Sequence, residues 1–138
     1  MKWDMEFIVP YPKILTGKKK GQLLTLNTLP YFYRYGVTKH KNAFKDELCE
    51  WYIPKCETEP NQWAEIHMTI LRNTRRKMDS DNIALVLKWA QDVLVQQGYL
   101  IDDDKNRVVL EPTQLGVKGV ETSIKMQVKF HKGEKDDS

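Results

Sequence analysis

The chain has 138 residues, enough for one globular domain with its own core, and 41% of them are hydrophobic. There are 22 Lys and Arg residues against 19 Asp and Glu, a formal net charge of +3. This composition excludes a chain that is disordered throughout. No apolar run is long enough for a signal peptide or a membrane span, so we expect a cytoplasmic protein without a membrane partner.

The first third of the chain predicts one strand, a basic loop and an aromatic segment. MEFIVPYP is a short strand ended by prolines, and LTGKKKGQ after it is a loop with a glycine near each end. LLTLNTLPYFYRYGV favours extended structure, although Pro30 interrupts it. The aromatic side chains of this segment either pack on the core or stack on exposed nucleic-acid bases. They are Tyr31, Phe32, Tyr33 and Tyr35.

A helix and a strand are predicted in the middle of the chain. KHKNAFKDELCEWYIPK carries apolar residues at helical spacing until Pro54 stops it. These apolar residues are Phe44, Leu48, Trp51 and Tyr52. QWAEIHMTILRN alternates and predicts a strand. The side chains expected on its apolar face are Trp63, Ile66, Met68 and Ile70.

The two cysteines, Cys49 and Cys56, would lie about 10 Å apart along a single helix, too far for a disulfide. The sequence also lacks the Cys and His spacing of a zinc site. A reducing compartment is therefore expected, and zinc is not.

The strongest helical pattern covers residues 82–97. Its apolar stripe consists of Ile83, Val86, Leu87, Ala90, Val93 and Leu94. Gly98 follows as a C′ glycine. RVVLEPTQLGV and VETSIKMQVKFHK then predict two strands joined near 116–119, and residues 131–138 are expected to form a disordered tail. The order of elements predicts one α+β domain, 1–138, with a small mixed sheet of about four strands and two main helices packed on it.

Acidic residues flank the predicted helix 82–97. Asp79 and Asp81 precede it, and Asp102, Asp103 and Asp104 follow it. Aspartates at helix starts are good N-caps, and for either cluster alone capping or turn formation is one explanation. A single cap does not account for so many carboxylates. The alternative is a magnesium-type site, in which a few carboxylates hold an ion that keeps open positions for phosphate and water.

Basic residues are gathered in three clusters, which suit a phosphate polymer but also fit solvated surface runs. The clusters are Lys18, Lys19 and Lys20; Lys39, His40 and Lys41; and Arg72, Arg75, Arg76 and Lys77. Lys88 lies seven residues after Asp81 and returns to within about 20° of the same helix face. Lys88 either stabilises charge on a scissile phosphate or forms an i,i+4 pair with Asp92. The chemistry that fits carboxylates beside basic residues is metal-assisted phosphodiester hydrolysis.

The ordered set of DSDN, a helix with Lys88 and Asp92, then Gly98 and IDDDKNRV, resembles the signature of the RusA family of Holliday-junction resolvases. The match covers about residues 75–109, and LLTLN weakly resembles the N-terminal region of that family. The resemblance implies a homodimeric, RusA-like endonuclease that uses Mg²⁺, with Mn²⁺ as a substitute and no small-molecule cofactor. It also implies four-way DNA junctions as the substrate and a bacterial or phage-infected cell as the setting.

The resemblance also implies roles for individual residues. Asp79 and Asp81 match the first two catalytic aspartates, and Asp103 fits the third best, with Asp102 and Asp104 as further candidate ligands. Lys88 matches the catalytic lysine if about three residues are inserted after Asn82, because Leu85 occupies the ungapped position. Arg76 and Lys77 sit where the family has basic residues. The full set of candidate DNA contacts is Arg72, Arg75, Arg76, Lys77, Lys39, Lys41, Lys18, Lys19 and Lys20.

The two acidic clusters are separated by a helix of about 24 Å, so they do not easily meet within one subunit. We hypothesise that this helix pairs antiparallel across a two-fold axis, which would bring Asp103 of the partner subunit to Asp79 and Asp81. Two alternatives stay open. One is a nuclease of the same fold that acts on flaps, forks or RNA–DNA hybrids. The other is a DNA-binding module whose aspartates are only caps and turns.

Overall fold

The computed structural model describes residues 2–25, 28, 34–101 and 106–133, without the side chains of Arg34, Tyr35 and Asn82. Within these residues the chain is α+β, with two helices and a mixed sheet of five strands. In chain order the elements are β1 (Met5–Pro10), α1 (Arg34–Trp51), β2 (Trp63–Arg72), α2 (Ser80–Gln96), β3 (Arg107–Val109), β4 (Thr113–Gly116) and β5 (Ser123–His131). Neither helix in the described ranges is long and apolar enough to cross a membrane.

The sheet is ordered β1-β5-β2-β3, and β4 also pairs with β2. β5 runs antiparallel to both β1 and β2, whereas β3 and β4 run parallel to β2. β3 and β4 replace the single strand predicted at 107–117, so the described sheet has five strands rather than about four. Pro112 lies between them and has no N–H to donate to a ladder, which explains the interruption.

Helix α2 follows its predicted pattern closely, because every residue of the predicted apolar stripe is buried in the core. Gly98 has φ +86°, the left-handed conformation expected of a C′ glycine. Helix α1 begins at Arg34, so Tyr35 belongs to a helix and not to the extended segment that was predicted. In α1 the predicted core residues Phe44 and Leu48 are buried, but Trp51 is 72% exposed, since it is the last residue of the helix.

Strand β2 buries one face against the helices, and Ile66, Met68 and Ile70 lie there as predicted. Trp63 was wrongly assigned to this face. Side chains alternate with a period of two, so Trp63 points to the opposite face and stacks on His131 at 3.9 Å between ring centroids. His131 is the last residue of β5, so the predicted tail starts too early, and residues 134–138 lie outside the described chain.

The strand pairings sort the loops to two ends of the sheet. Pro10 and Leu71 both pair with Ser123, and Arg72 pairs with Gly116. We call this edge the β2 carboxyl end, and the loop to α2 leaves from it. The opposite edge, the β2 amino end, holds the start of β2 and the pairing of Ala64 with Arg107. The chain between α2 and β3 therefore returns at the β2 amino end.

Candidate metal and phosphate site at the β2 carboxyl end

Asp79 and Asp81 are exposed at the start of α2. Asp79 is the N-cap, and its Oδ1 accepts a hydrogen bond from the Asp81 backbone N–H at 3.3 Å. The capping explanation thus holds for Asp79, but it uses only one of the four carboxylate oxygens. The Asp81 carboxylate has no hydrogen bond or ion pair with any described residue. Its oxygens, and the second oxygen of Asp79, are available to a ligand.

The residue before this pair is held by Gln114 of β4. The Met78 N–H donates to Gln114 Oε1 at 2.8 Å, and Gln114 Nε2 donates to the Met78 carbonyl at 2.7 Å. Both main-chain polar groups of Met78 are therefore tied to one half-buried side chain. Because Met78 directly precedes Asp79, this two-bond contact sets where the aspartates stand relative to the sheet.

Arg72 organises the basic loop that precedes Met78. Its Nη1 donates to the Arg76 carbonyl at 2.7 Å, and the Arg76 N–H donates to Thr74 Oγ1 at 3.2 Å. On its inner side Arg72 lies near Tyr11. Burial raises the pKa of Tyr11 above its usual value, with Arg72 acting weakly in the opposite sense, and the hydroxyl donates to the Leu24 carbonyl at 2.6 Å. Arg72 is thus partly a structural residue, whereas Arg75, Arg76 and Lys77 are exposed.

The same loop packs tightly on the end of β4. A Cβ placed on Gly116 would lie 2.8 Å from the Thr74 carbonyl oxygen and 3.2 Å from Arg75 Cα. Only glycine allows this approach without moving backbone. A further contact comes from Asn73, whose Oδ1 accepts the Gly119 N–H at 3.0 Å. The basic loop is therefore fixed to the segment that follows β4.

Lys88 is exposed on α2 and forms no ion pair or hydrogen bond among the described residues. The alternative of an i,i+4 pair between Lys88 and Asp92 is not observed, because Asp92 contacts Arg107 at 3.2 Å and Lys45 at 3.9 Å instead. Leu85, at the ungapped position, is partly buried against the core and has no charge to offer a phosphate. Seven helical residues place the Lys88 backbone about 10 Å along the axis from Asp81.

The other two basic clusters also lie toward the β2 carboxyl end. The loop with Lys18, Lys19 and Lys20 follows β1, and Lys13 at its start pairs with Glu121 at 3.0 Å. These three lysines are exposed. His40 is a buried structural residue: its Nδ1 contacts the Gly36 carbonyl at 2.7 Å and its Nε2 accepts the Leu15 N–H at 3.0 Å. Its neighbours Lys39 and Lys41 are only partly exposed.

Asp102, Asp103 and Asp104 lie outside the described residues, as do Tyr31, Phe32 and Tyr33. The residues on either side of the acidic segment are described. Leu100 forms a β-bridge with Asn61, and Asn106 Nδ2 donates to the Ile101 carbonyl at 3.3 Å. These contacts are at the β2 amino end, about 26 Å from Arg72 along eight strand residues. No group of three or more His, Cys, Asp or Glu side chains suited to a metal occurs within the described part of the chain.

Several residues of this site gave no signal in the sequence. Gln114 and Gly116 act on a loop some 40 positions earlier, and the sequence shows no motif that links them. Lys118 stands alone between two glycines and belongs to no basic run. No protein-family model and no curated protein matches the chain.

Proposed function

We propose that the protein is a Mg²⁺-dependent, structure-selective endodeoxyribonuclease that cleaves four-way DNA junctions, as the resemblance to the RusA family implies. The observation that carries the proposal is that exposed acidic and basic side chains lie close together in sequence at the β2 carboxyl end. Two exposed aspartates with unused oxygens, Asp79 and Asp81, directly follow a loop that carries exposed Arg75, Arg76 and Lys77. Carboxylates suit the metal and cations suit the phosphodiester backbone, which are the two requirements of the reaction.

The residues present fit a hard divalent cation. Asp79 and Asp81 would hold it through oxygen atoms that the N-cap bond leaves free. When bound, Mg²⁺, or Mn²⁺ in its place, supplies a more acidic water and neutralises charge on the attacked phosphate. A third carboxylate would come from Asp103, with Asp102 and Asp104 as its neighbours in the same acidic segment.

The protein's own groups position the DNA. Arg75, Arg76 and Lys77 bind backbone phosphates, and the N-terminus of α2 adds a favourable dipole for an anion. Lys88 is exposed on the same helix face as Asp81 and has no competing partner among the described residues. Its long side chain leans toward the helix N-terminus, where it stabilises negative charge on the phosphate in the transition state.

The positions of the residues that flank the acidic segment favour a composite site in a homodimer. Ile101 and Asn106, which flank that segment, lie at the opposite sheet end from the loop that leads to Asp79. An antiparallel two-fold pairing would bring Asp103 of the partner subunit to Asp79 and Asp81. Such a dimer has two equivalent sites related by symmetry, as paired nicks across a junction require.

The test is cleavage of a synthetic four-way junction against linear duplex, flap and fork, with Mg²⁺ or EDTA. Wild type should make paired nicks in the junction alone with Mg²⁺, and Asp81→Asn should bind the junction without cutting it. Cleavage of flaps or forks instead would assign a different branched substrate. If the protein bound the junction but did not cleave it in the presence of Mg²⁺, it would be a DNA-binding module in which Asp79 serves only as a cap.

A further inference from the structure

A groove of about 330 Å³ lies at the β2 carboxyl end. It is lined by Asn73, Thr74, Arg75, Gly116, Val117 and Lys118. A smaller pocket adjoins it, with Arg76, Lys77 and Gln114 among its walls. The groove thus continues along the basic loop toward Met78 and Asp79. Arg75 and Asp79 are four positions apart in the sequence, a span of at most about 14 Å.

Both walls of the groove are fixed by contacts on the protein side. Gly116 lets the Thr74 carbonyl approach closely, and the Gly119 N–H donates to Asn73. The Val117 N–H donates to the Arg72 carbonyl at 2.6 Å, which continues the β2–β4 pairing past Gly116. Because the two loops are bound to each other at these points, the groove is formed before any ligand arrives.

The charges of the groove are unbalanced. Arg75 and Lys118 are exposed and both line the groove, and neither forms an ion pair or side-chain hydrogen bond within the described chain. No carboxylate is among the described lining residues of the groove. Two cations in one groove without a counter-charge attract an anion. The lining also has no aromatic side chain on which a base could stack, so a backbone phosphate fits better than a nucleobase.

We propose that the groove lined by Arg75 and Lys118 binds a phosphate of the DNA strand, a few nucleotides from the phosphate that is attacked near Asp79 and Asp81. The proposal deepens the proposed nuclease function and rests on it for the identity of the ligand. It adds Lys118 and the segment after β4 to the DNA-binding surface, because Lys118 belongs to none of the three basic clusters of the sequence. Phosphates rise about 3.4 Å per nucleotide along one strand, so the available span covers a few of them.

The test compares Lys118→Gln with Lys132→Gln in the Asp81→Asn background, which removes cleavage from the assay. Lys132 is a matched control, because it is exposed and follows β5 at the β2 amino end. Dissociation constants for the junction are measured between about 50 and 200 mM NaCl. Loss of Lys118 should lower the magnitude of the slope of log Kd against log salt by about 0.9, the value for one lost phosphate contact. The Lys132 variant should match its parent.

A second variant tests the groove without removing charge. Gly116→Ala forces the Thr74 carbonyl away, so binding should weaken although Arg75 and Lys118 both remain. Thermal unfolding shows whether the variant is folded. An unchanged salt slope in Lys118→Gln, or an equal change in Lys132→Gln, would overturn the groove assignment. Cleavage by the otherwise wild-type chain is scored separately. If the wild-type chain cleaves the junction but Lys118→Gln leaves the salt slope unchanged, only the groove assignment is wrong. If Lys118→Gln lowers the slope but the wild-type chain does not cleave, only the nuclease function is wrong.

Discussion

The two ends of the sheet use their polar groups differently. At the β2 amino end, polar side chains form hydrogen bonds with main-chain carbonyls. Gln97 Nε2 donates to the Ile53 carbonyl at 2.9 Å, and Asn61 Nδ2 donates to the Tyr99 carbonyl at 3.0 Å. At the β2 carboxyl end, backbone groups are equally well paired, but Asp81, Arg75 and Lys118 are exposed without partners in the described chain.

This difference separates stability from binding. Exposed charges without partners contribute little to folding, and most surface substitutions change stability by less than about 0.5 kcal/mol. The position of Arg75 and Asp81 around one loop, with Lys118 in the adjoining groove, is therefore better explained by an interaction with a charged ligand. Substitutions of these exposed charges should change function with little loss of stability, and substitutions of the paired polar groups should also reduce stability.

The largest functional effect is expected at Asp79. Asp79→Asn keeps an N-cap oxygen but removes the charge, so Mg²⁺-dependent junction cleavage should fall at least about 100-fold, a size typical of losing one charge-stabilising group. Asp79→Ala should lose as much cleavage and, in addition, about 1 kcal/mol of stability with the cap. Cleavage rates and urea unfolding of both variants measure this. If both variants were equally destabilised and Asp79→Asn still cleaved the junction, Asp79 would have only a capping role.

The largest effect on stability alone is expected at Asp92. The Arg107 side chain is only 9% exposed and its guanidinium contacts Asp92, so Asp92→Ala leaves a nearly buried charge with less compensation. We expect a loss of about 1–3 kcal/mol. Lys88→Ala, on an exposed position of the same helix, is the matched control and should change stability by less than about 0.5 kcal/mol. Urea denaturation followed by tryptophan fluorescence distinguishes them, and similar losses in both would argue against the Asp92–Arg107 contact.

Gln114 should affect both properties, since it joins the sheet to the site. Gln114→Ala removes both bonds to Met78 and should cost about 1–2 kcal/mol. We also expect a higher Mg²⁺ concentration for half-maximal cleavage, because the aspartates are less well placed. Gln114→Glu can still accept from the Met78 N–H but cannot donate to its carbonyl when ionised, so it should fall between alanine and wild type. An unchanged Mg²⁺ dependence in both variants would limit Gln114 to a structural role.

The smallest effect is expected at Gly98. Its φ of +86° is strained for any residue with a Cβ, so Gly98→Ala should cost about 1 kcal/mol. Gly133→Ala, where an added Cβ meets nothing within 4 Å, should be close to neutral. Junction binding should be the same in both, because Gly98 lies at the β2 amino end. A weaker affinity in Gly98→Ala would show that the two ends are coupled.

Local signals in the sequence were sufficient for the elements near the site. The apolar stripe of α2, its C′ glycine and an aspartate cap before it were all predicted, because each depends on residues within a few positions of one another. The strand at 63–72 was predicted for the same reason, although Trp63 was placed on the wrong face. Helix α1 was predicted to start too late, since aromatic residues in 31–35 favour extended structure and do not report the helix start.

The sequence by itself determined the type and order of most elements and the candidate aspartates, because side-chain periodicity and capping are short-range properties. Only the tertiary structure decided which polar groups are paired. It assigned Asp92 to Arg107 and Lys45 rather than to Lys88, tied Gln114 to Met78, and placed Lys118 and Arg75 in one groove. These contacts join residues 15 to 47 positions apart. Their partners are set by the parallel pairing of β2 with β3 and β4 and, for Lys45 and Asp92, by the packing of α1 on α2.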